Sequence, residues 1–241
     1  MQTTKLTPEL EALGPIYIFQ MGKVGSYSLQ ITLAEYLGNR IVHAHCYEEM
    51  SPEEQQLLTS RRSAGLPIHV ITPIREPLAR NVSAFFQTFK RDTGFELSDR
   101  HWGQAELLEL FLQRYPHDES LDWFDLSFRP VTGLDIYQEP FPQQQKWVIH
   151  EKDSLRILIY RSDLGREEQL TVISDFLGHK IGAWVPANRA EDKDYAGLYR
   201  DFCAQTILPE SYIARMSDSR FCRHFWSETE IRANADRWRR R

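Results

Sequence analysis

Strands alternating with helices along the first ninety residues predict an α/β fold, a central, mostly parallel sheet flanked by helices. Two observations carry this. Short β-branched runs are bounded by turn residues, and apolar residues at helical spacing follow them directly. No linker, repeat or low-complexity stretch interrupts the chain, so residues 1–241 read as a single domain. At 41% hydrophobic residues, the chain is long enough to bury a sizeable core.

Taken in order, residues 15–19 form an apolar strand that enters the turn-prone Gln20-Met-Gly-Lys-Val-Gly25. Residues 26–37 follow as a helix that stops at Gly38. A second strand over 41–45 leads to a helix over 51–64, opened by a Ser-Pro cap. Residues 66–74 are the third strand and 76–91 a helix with Pro77 in its first turn. Residues 104–115 read as helical, and 116–150 as an irregular, aromatic-rich excursion, with 133–137 and 146–150 as an antiparallel pair. A strand at 155–160 and a helix at 166–177 restore the alternation, and helices at 193–203, 209–216 and 227–240 close the chain.

Composition excludes several classes. A net charge of −5 argues against a dedicated nucleic-acid binder, which is usually basic over a whole face. The polar segment 1–14 lacks the apolar core of a signal peptide, and no stretch approaches the roughly 20 apolar residues of a membrane span. Cys46, Cys203 and Cys222 make no CxxC pair and no even framework, so they read as reduced thiols with no metal site, and the protein as cytoplasmic.

Gln20-Met-Gly-Lys-Val-Gly-Ser-Tyr-Ser28 carries the functional argument. A strand, a Gly-containing turn and a helix start gather backbone N–H groups around one concavity, where the helix dipole favours an anion. Lys23 adds a full charge, Gly25 permits close approach, and Ser26 and Ser28 add hydroxyls. Val24 follows Lys23, so the magnesium-binding hydroxyl of an ATP-type P-loop is missing, and a phosphate-like group held without an obligatory metal is expected. Farther on, Arg75 ends the third strand and Ser83 lies eight residues later, about two helical turns on, with Arg80 as a nearby spare cation. A guanidinium fork and a hydroxyl suit a second phosphate.

Lys23-Val-Gly-Ser-Tyr-Ser28 resembles the 5′-phosphosulfate loop of sulfotransferases that use 3′-phosphoadenosine 5′-phosphosulfate (PAPS). More narrowly, Gln20 to Ser26 resembles a bacterial group of sulfotransferases and capsular polysaccharide synthesis proteins. The resemblance implies a P-loop-like sulfotransferase fold, with Lys23, Val24, Gly25, Ser26, Tyr27 and Ser28 at the phosphosulfate and Arg75 with Ser83 at the 3′-phosphate. Tyr27 departs from the family's hydroxyl pattern and offers its backbone N–H. Asn188 and Arg189 fall where the family covers the nucleotide with a late loop. Leu158 to Leu164 resembles the family's Tyr-Arg-x-Glu-Asp-Leu strand end, with Ser162 in place of the acid, and residues 225–231 resemble the group's terminal signature.

For the proton acceptor, period two places His43 and His45 on one strand face. His45 is nearer the carboxyl end and is the first choice, with His43 and Glu48 as alternatives. Lys23 is expected to stabilise charge on the departing phosphate. On the acceptor side Trp123, Asp125 and Asp135 combine an aromatic with carboxylates, as a saccharide or cationic small molecule requires. The expected reaction is sulfuryl transfer from PAPS to a hydroxyl or amine of a carbohydrate or small metabolite, leaving 3′-phosphoadenosine 5′-phosphate (PAP). A P-loop-like kinase and a non-catalytic nucleotide-binding subunit of a polysaccharide assembly system stay open as alternatives.

Overall fold

The computed structural model describes residues 13–187 and 193–239. Its packing divides the chain into two compact units, one taking residues up to Ile74 with Phe124–Ala187, the other Arg75–Trp123 with the residues after 187. The sequence reads as one uninterrupted domain. Each unit is built from two stretches of chain, so no shift in composition marks a boundary.

The first unit holds a five-stranded sheet of β1 (Ile16–Phe19), β2 (Ile41–Ala44), β3 (Ile68–Ile74), β4 (Trp147–Lys152) and β5 (Leu155–Arg161). Its order is β2-β1-β3-β5-β4. All neighbours are parallel except β4, which returns antiparallel on β5 through a turn at Asp153, where φ is +53°. The α/β fold with a mostly parallel sheet and flanking helices is therefore as expected. The antiparallel pair is not: residues 136–138 form a 3₁₀ turn, and β4 pairs with the strand that follows it.

Helices α1 (Ser26–Leu37) and α2 (Pro52–Ser63) follow β1 and β2. Leu29, Leu33 and Leu37 of α1 pack with Ile16, Ile18, Ile71 and Leu158 of the sheet, joined by Ile173 and Phe176 of a later helix, Arg166–Leu177. Each such side chain contributes roughly 1.5–3 kcal/mol by leaving water. Helix α2 opens with a reciprocal cap: the Glu54 N–H donates to Ser51 Oγ at 3.2 Å and the Ser51 N–H to Glu54 Oε2 at 2.8 Å. The strand order reverses about β1, which has β2 on one side and β3 on the other. The carboxyl ends of β1 and β3 thus form a switch point, the usual ligand position in an open parallel sheet.

The second unit is helical around α3 (Pro77–Thr93) and α4 (Gln104–Arg114), followed by α5 (Glu119–Trp123). Beyond a π-helical run at Phe124–Phe128, α6 (Arg129–Thr132) and then α7 (Arg166–Leu177) belong to the first unit. The second unit closes with α8 (Ala196–Gln205), α9 (Glu210–Ser217), α10 (Arg220–Phe225) and α11 (Glu228–Arg239). Phe85, Phe86, Phe89, Phe111, Phe202 and Trp238 fill its core, with edge-to-face pairs such as Phe85–Phe111 at 5.4 Å. The stretch expected to be irregular is therefore helical over residues 119–132.

Candidate functional site

Three backbone conformations set the loop after β1. Gly22, Lys23 and Gly25 all take left-handed φ, at +81°, +61° and +81°. A lysine held there costs about 1–2 kcal/mol, so the surrounding turn imposes it. Gly25 is the N-cap of α1 and offers no side chain to the first-turn N–H groups. A Cβ at Gly25 would meet nothing within 4 Å, so the φ angle, not crowding, requires glycine. Val24 is buried and Tyr27 is 46% exposed.

His43 lies beside Ile18 in register and faces this loop. Its Nε2 is 2.9 Å from Ser26 Oγ and 3.4 Å from Gln20 Nε2. Gln20 Oε1 accepts from the Gly22 N–H, which turns the amide nitrogen toward the ring. His43 Nε2 therefore carries a lone pair, and the Ser26 hydroxyl donates to it. Burial, with His45 adding to it and Glu49 opposing, lowers the His43 pKa from 6.5 to about 4, so the ring is neutral.

His45 is the more exposed histidine. Its Nδ1 lies 2.7 Å from Glu49 Oε2, and its backbone N–H donates to the same oxygen at 2.8 Å. The two imidazoles stand edge to face at 5.8 Å. Burial opposes ionisation of Glu49, but the His45 N–H and ring outweigh it and hold the carboxyl below its usual range. Glu48 instead hydrogen-bonds the Cys46 thiol, whose pKa is raised first by burial and then by that bond. The three candidate bases thus have different partners: a loop hydroxyl for His43, a carboxylate for His45, a thiol for Glu48. Glu49 was missed in the sequence, although its i+4 spacing from His45 was there to be read.

Ser28 is committed elsewhere. Its hydroxyl donates to the Ala187 carbonyl at 2.8 Å and accepts from the Ala187 N–H at 3.1 Å. One turn on, Thr32 Oγ1 accepts from Val185 N at 2.9 Å, and after another turn Tyr36 OH accepts from Gly182 N at 2.9 Å. The three hydroxyls lay residues 182–187 along α1. Ser28, expected as a donor to the anion, instead fixes this segment. Asn188 and Arg189 lie outside the described residues.

In the second unit Arg75 directly follows β3 in the chain, and Glu76 caps α3, accepting from Leu78 N at 2.9 Å and Ala79 N at 2.7 Å. Burial pushes the Glu76 carboxyl up, against the Ala79 N–H and the Arg75 charge. Ser83 is buried and hydrogen-bonds Tyr199 of α8; burial raises the Tyr199 pKa, while Arg75 and Ser83 act against it. Arg75, Ser83 and Tyr199 thus form one cluster, and nothing in the spacing pointed to Tyr199.

Arg80 is no spare cation. It is 4% exposed, donates to Tyr115 OH and to Asn81 Oδ1, and sits 3.7 Å from Glu119. Asn81 also donates to the His117 carbonyl at 2.9 Å and Tyr212 OH at 3.2 Å, and accepts from Ser120 at 3.2 Å. His117 lies 2.8 Å from the Phe111 carbonyl through Nε2 and 3.0 Å from Tyr212 OH through Nδ1. Burial lowers its pKa, so it is a neutral member of a polar core.

Of the residues expected on an acceptor side, Asp125 and Asp135 flank one guanidinium, Arg129, at 3.9 and 3.4 Å. Trp123 is 6% exposed and packs inside, so it offers no open face for stacking. At the end of β5, Arg161 forks onto Asp163 at 3.0 and 2.6 Å and Lys146 joins at 3.4 Å. Burial opposes ionisation of Asp163, but these cations lower its pKa overall. Among the described residues no group of three or more His, Cys, Asp or Glu side chains could hold a metal ion. No helix there is long and apolar enough to cross a membrane. Compared with known proteins, the chain matches no family model, no curated protein and no solved structure.

Proposed function

We propose that this chain is a PAPS-dependent sulfotransferase acting on a hydroxyl or amine of a carbohydrate or small-molecule acceptor in the cytoplasm. The observation that carries the reading is the turn at the switch point. Three left-handed residues, one of them Lys23, precede a helix start with no side-chain cap. Such a turn suits a phosphate-like anion, and buried Val24 after Lys23 disfavours the magnesium-dependent kinase alternative.

In this reading the loop holds the 5′-phosphosulfate through Lys23 and the backbone of Val24–Tyr27, and Arg75 with Ser83 takes the 3′-phosphate. PAPS supplies an activated sulfuryl group whose transfer leaves PAP. Lys23 stabilises charge on the departing phosphate, and His45 removes the acceptor proton. Positioning and electrostatics supply most of the rate, as in phosphoryl transfer.

The test is nucleotide selectivity. PAP at 100 times its Kd should stabilise the fold by about 2.7 kcal/mol, while AMP and ATP at equal concentration do little. Arg75→Ala should abolish that preference by weakening PAP by about 1.5–3 kcal/mol. Equal shifts with AMP and PAP would sink the assignment. Tight PAP binding without transfer of labelled sulfate from PAPS to host glycans or metabolites would favour the non-catalytic subunit.

A further inference from the structure

We infer that Glu49 is a positioning residue that fixes the His45 imidazole in its Nδ1–H tautomer and so makes Nε2 the proton-accepting atom; this rests on the sulfotransferase reading given above. One carboxylate oxygen receives both the ring Nδ1 and the backbone N–H of the same histidine, at 2.7 and 2.8 Å. A carboxylate only accepts, so the proton between them belongs to Nδ1. The neutral ring then has its lone pair on Nε2.

The support for Glu49 is itself built. It ends a 3₁₀ turn, Tyr47–Glu49, closed by Met50 N donating to the Tyr47 carbonyl at 3.1 Å. Gln55 reaches back from α2 and donates to the Tyr47 and Met50 carbonyls, both at 3.0 Å. The next residue, Ser51, opens the reciprocal cap of α2. Glu49 is therefore carried on a turn stapled to a capped helix rather than on a loose loop.

A stabilising role does not account for the pair. The two side chains are 47% and 50% exposed, and ion pairs at that exposure contribute little to folding. What the contact does set is the orientation and tautomer of one imidazole, at the end of the strand beside the anion loop. His43 is engaged differently: its Nε2 lone pair receives the Ser26 hydroxyl.

The experiment is ¹⁵N NMR of the His45 side chain in the full chain at neutral pH, with turnover measured in parallel. Wild type should show a protonated Nδ1 and an unprotonated Nε2. Glu49→Ala should spread the proton over both nitrogens and lower kcat by about 10–100-fold, with KM for PAPS unchanged within about twofold. Glu49→Gln still offers an accepting oxygen and should restore the Nδ1–H signature and most of kcat. A wild-type ring protonated on Nε2, or a Glu49→Ala spectrum and kcat equal to wild type, overturns the inference. If the chain neither binds PAP nor transfers sulfate, the functional reading falls, while the spectra still decide the role of Glu49.

Discussion

The corner around His43 and His45 and the knot around Asn81 and His117 draw on the same residue types and use them differently. In the knot, Asn81, Ser120, Arg80, Tyr212 and His117 are all buried and satisfy one another. In the corner, a half-buried histidine meets a loop hydroxyl, and a half-exposed one is held through one ring nitrogen by a carboxylate. A closed polar network specifies packing; an outward-facing oriented one suits chemistry. Residue type distinguishes neither: Arg80 read as a nearby spare cation and is core, while Glu49, which the sequence reading passed over, meets the His45 ring nitrogen.

If that contrast is right, the corner should fail in turnover and the knot in stability. The largest effect should come from His45→Ala, which lowers turnover by about 10²–10⁴-fold while PAP affinity and melting temperature stay near wild type. Should His45→Ala be nearly fully active and His43→Ala or Glu48→Gln dead, the base is a different residue. A melting temperature that fell with the activity would erase the distinction.

Asn81→Leu should come next. It leaves the His117 carbonyl, Ser120 and part of Arg80 without their partner, at a cost of about 2–4 kcal/mol, or roughly 4–16 °C in melting temperature. Turnover per folded molecule should change little. Loss of turnover at unchanged stability would place the knot in the functional machinery.

The smallest effect concerns acid. His43 has a folded pKa of about 4, below its ordinary 6.5. Its neutral form is favoured in the fold, so this contribution to stability is complete above about pH 6.5 and is lost as pH falls toward 4. Denaturant titrations of wild type and His43→Gln over that range should show a shallower acid loss in the variant. Parallel curves would mean that His43 is not neutralised by folding.

Much of the first unit was legible because its signals are local. Each strand run, the Gly-bounded loop and the Ser51 cap is written in a few adjacent residues, and period two placed both histidines on one face. The Ser26–His43 contact depends on the pairing of Ile18 with His43, which no local pattern contains. Residues 119–132 hid their helical character because Trp123, Phe124 and Phe128 are all buried while spanning a π-helical turn that breaks the 3.6 period. Tyr199 lies on a helix far along the chain from Ser83, and only tertiary packing joins them.

The three hydroxyls along α1 also have a timetable. Ser28, Thr32 and Tyr36 find their partners 146 to 159 residues later in the chain. At roughly 5–20 residues per second, a ribosome needs on the order of ten to thirty seconds to bridge that gap. Through that interval Ser28 and Tyr36 lack these partners, while Thr32 Oγ1 has only the Ser28 carbonyl of its own helix, to which it donates at 2.7 Å. Thr32 is fully buried once the chain is complete, so the late strap both arrives and seals. A polypeptide released before residue 182 would keep the loop after β1 in its sequence and lack the segment that lies along its helix.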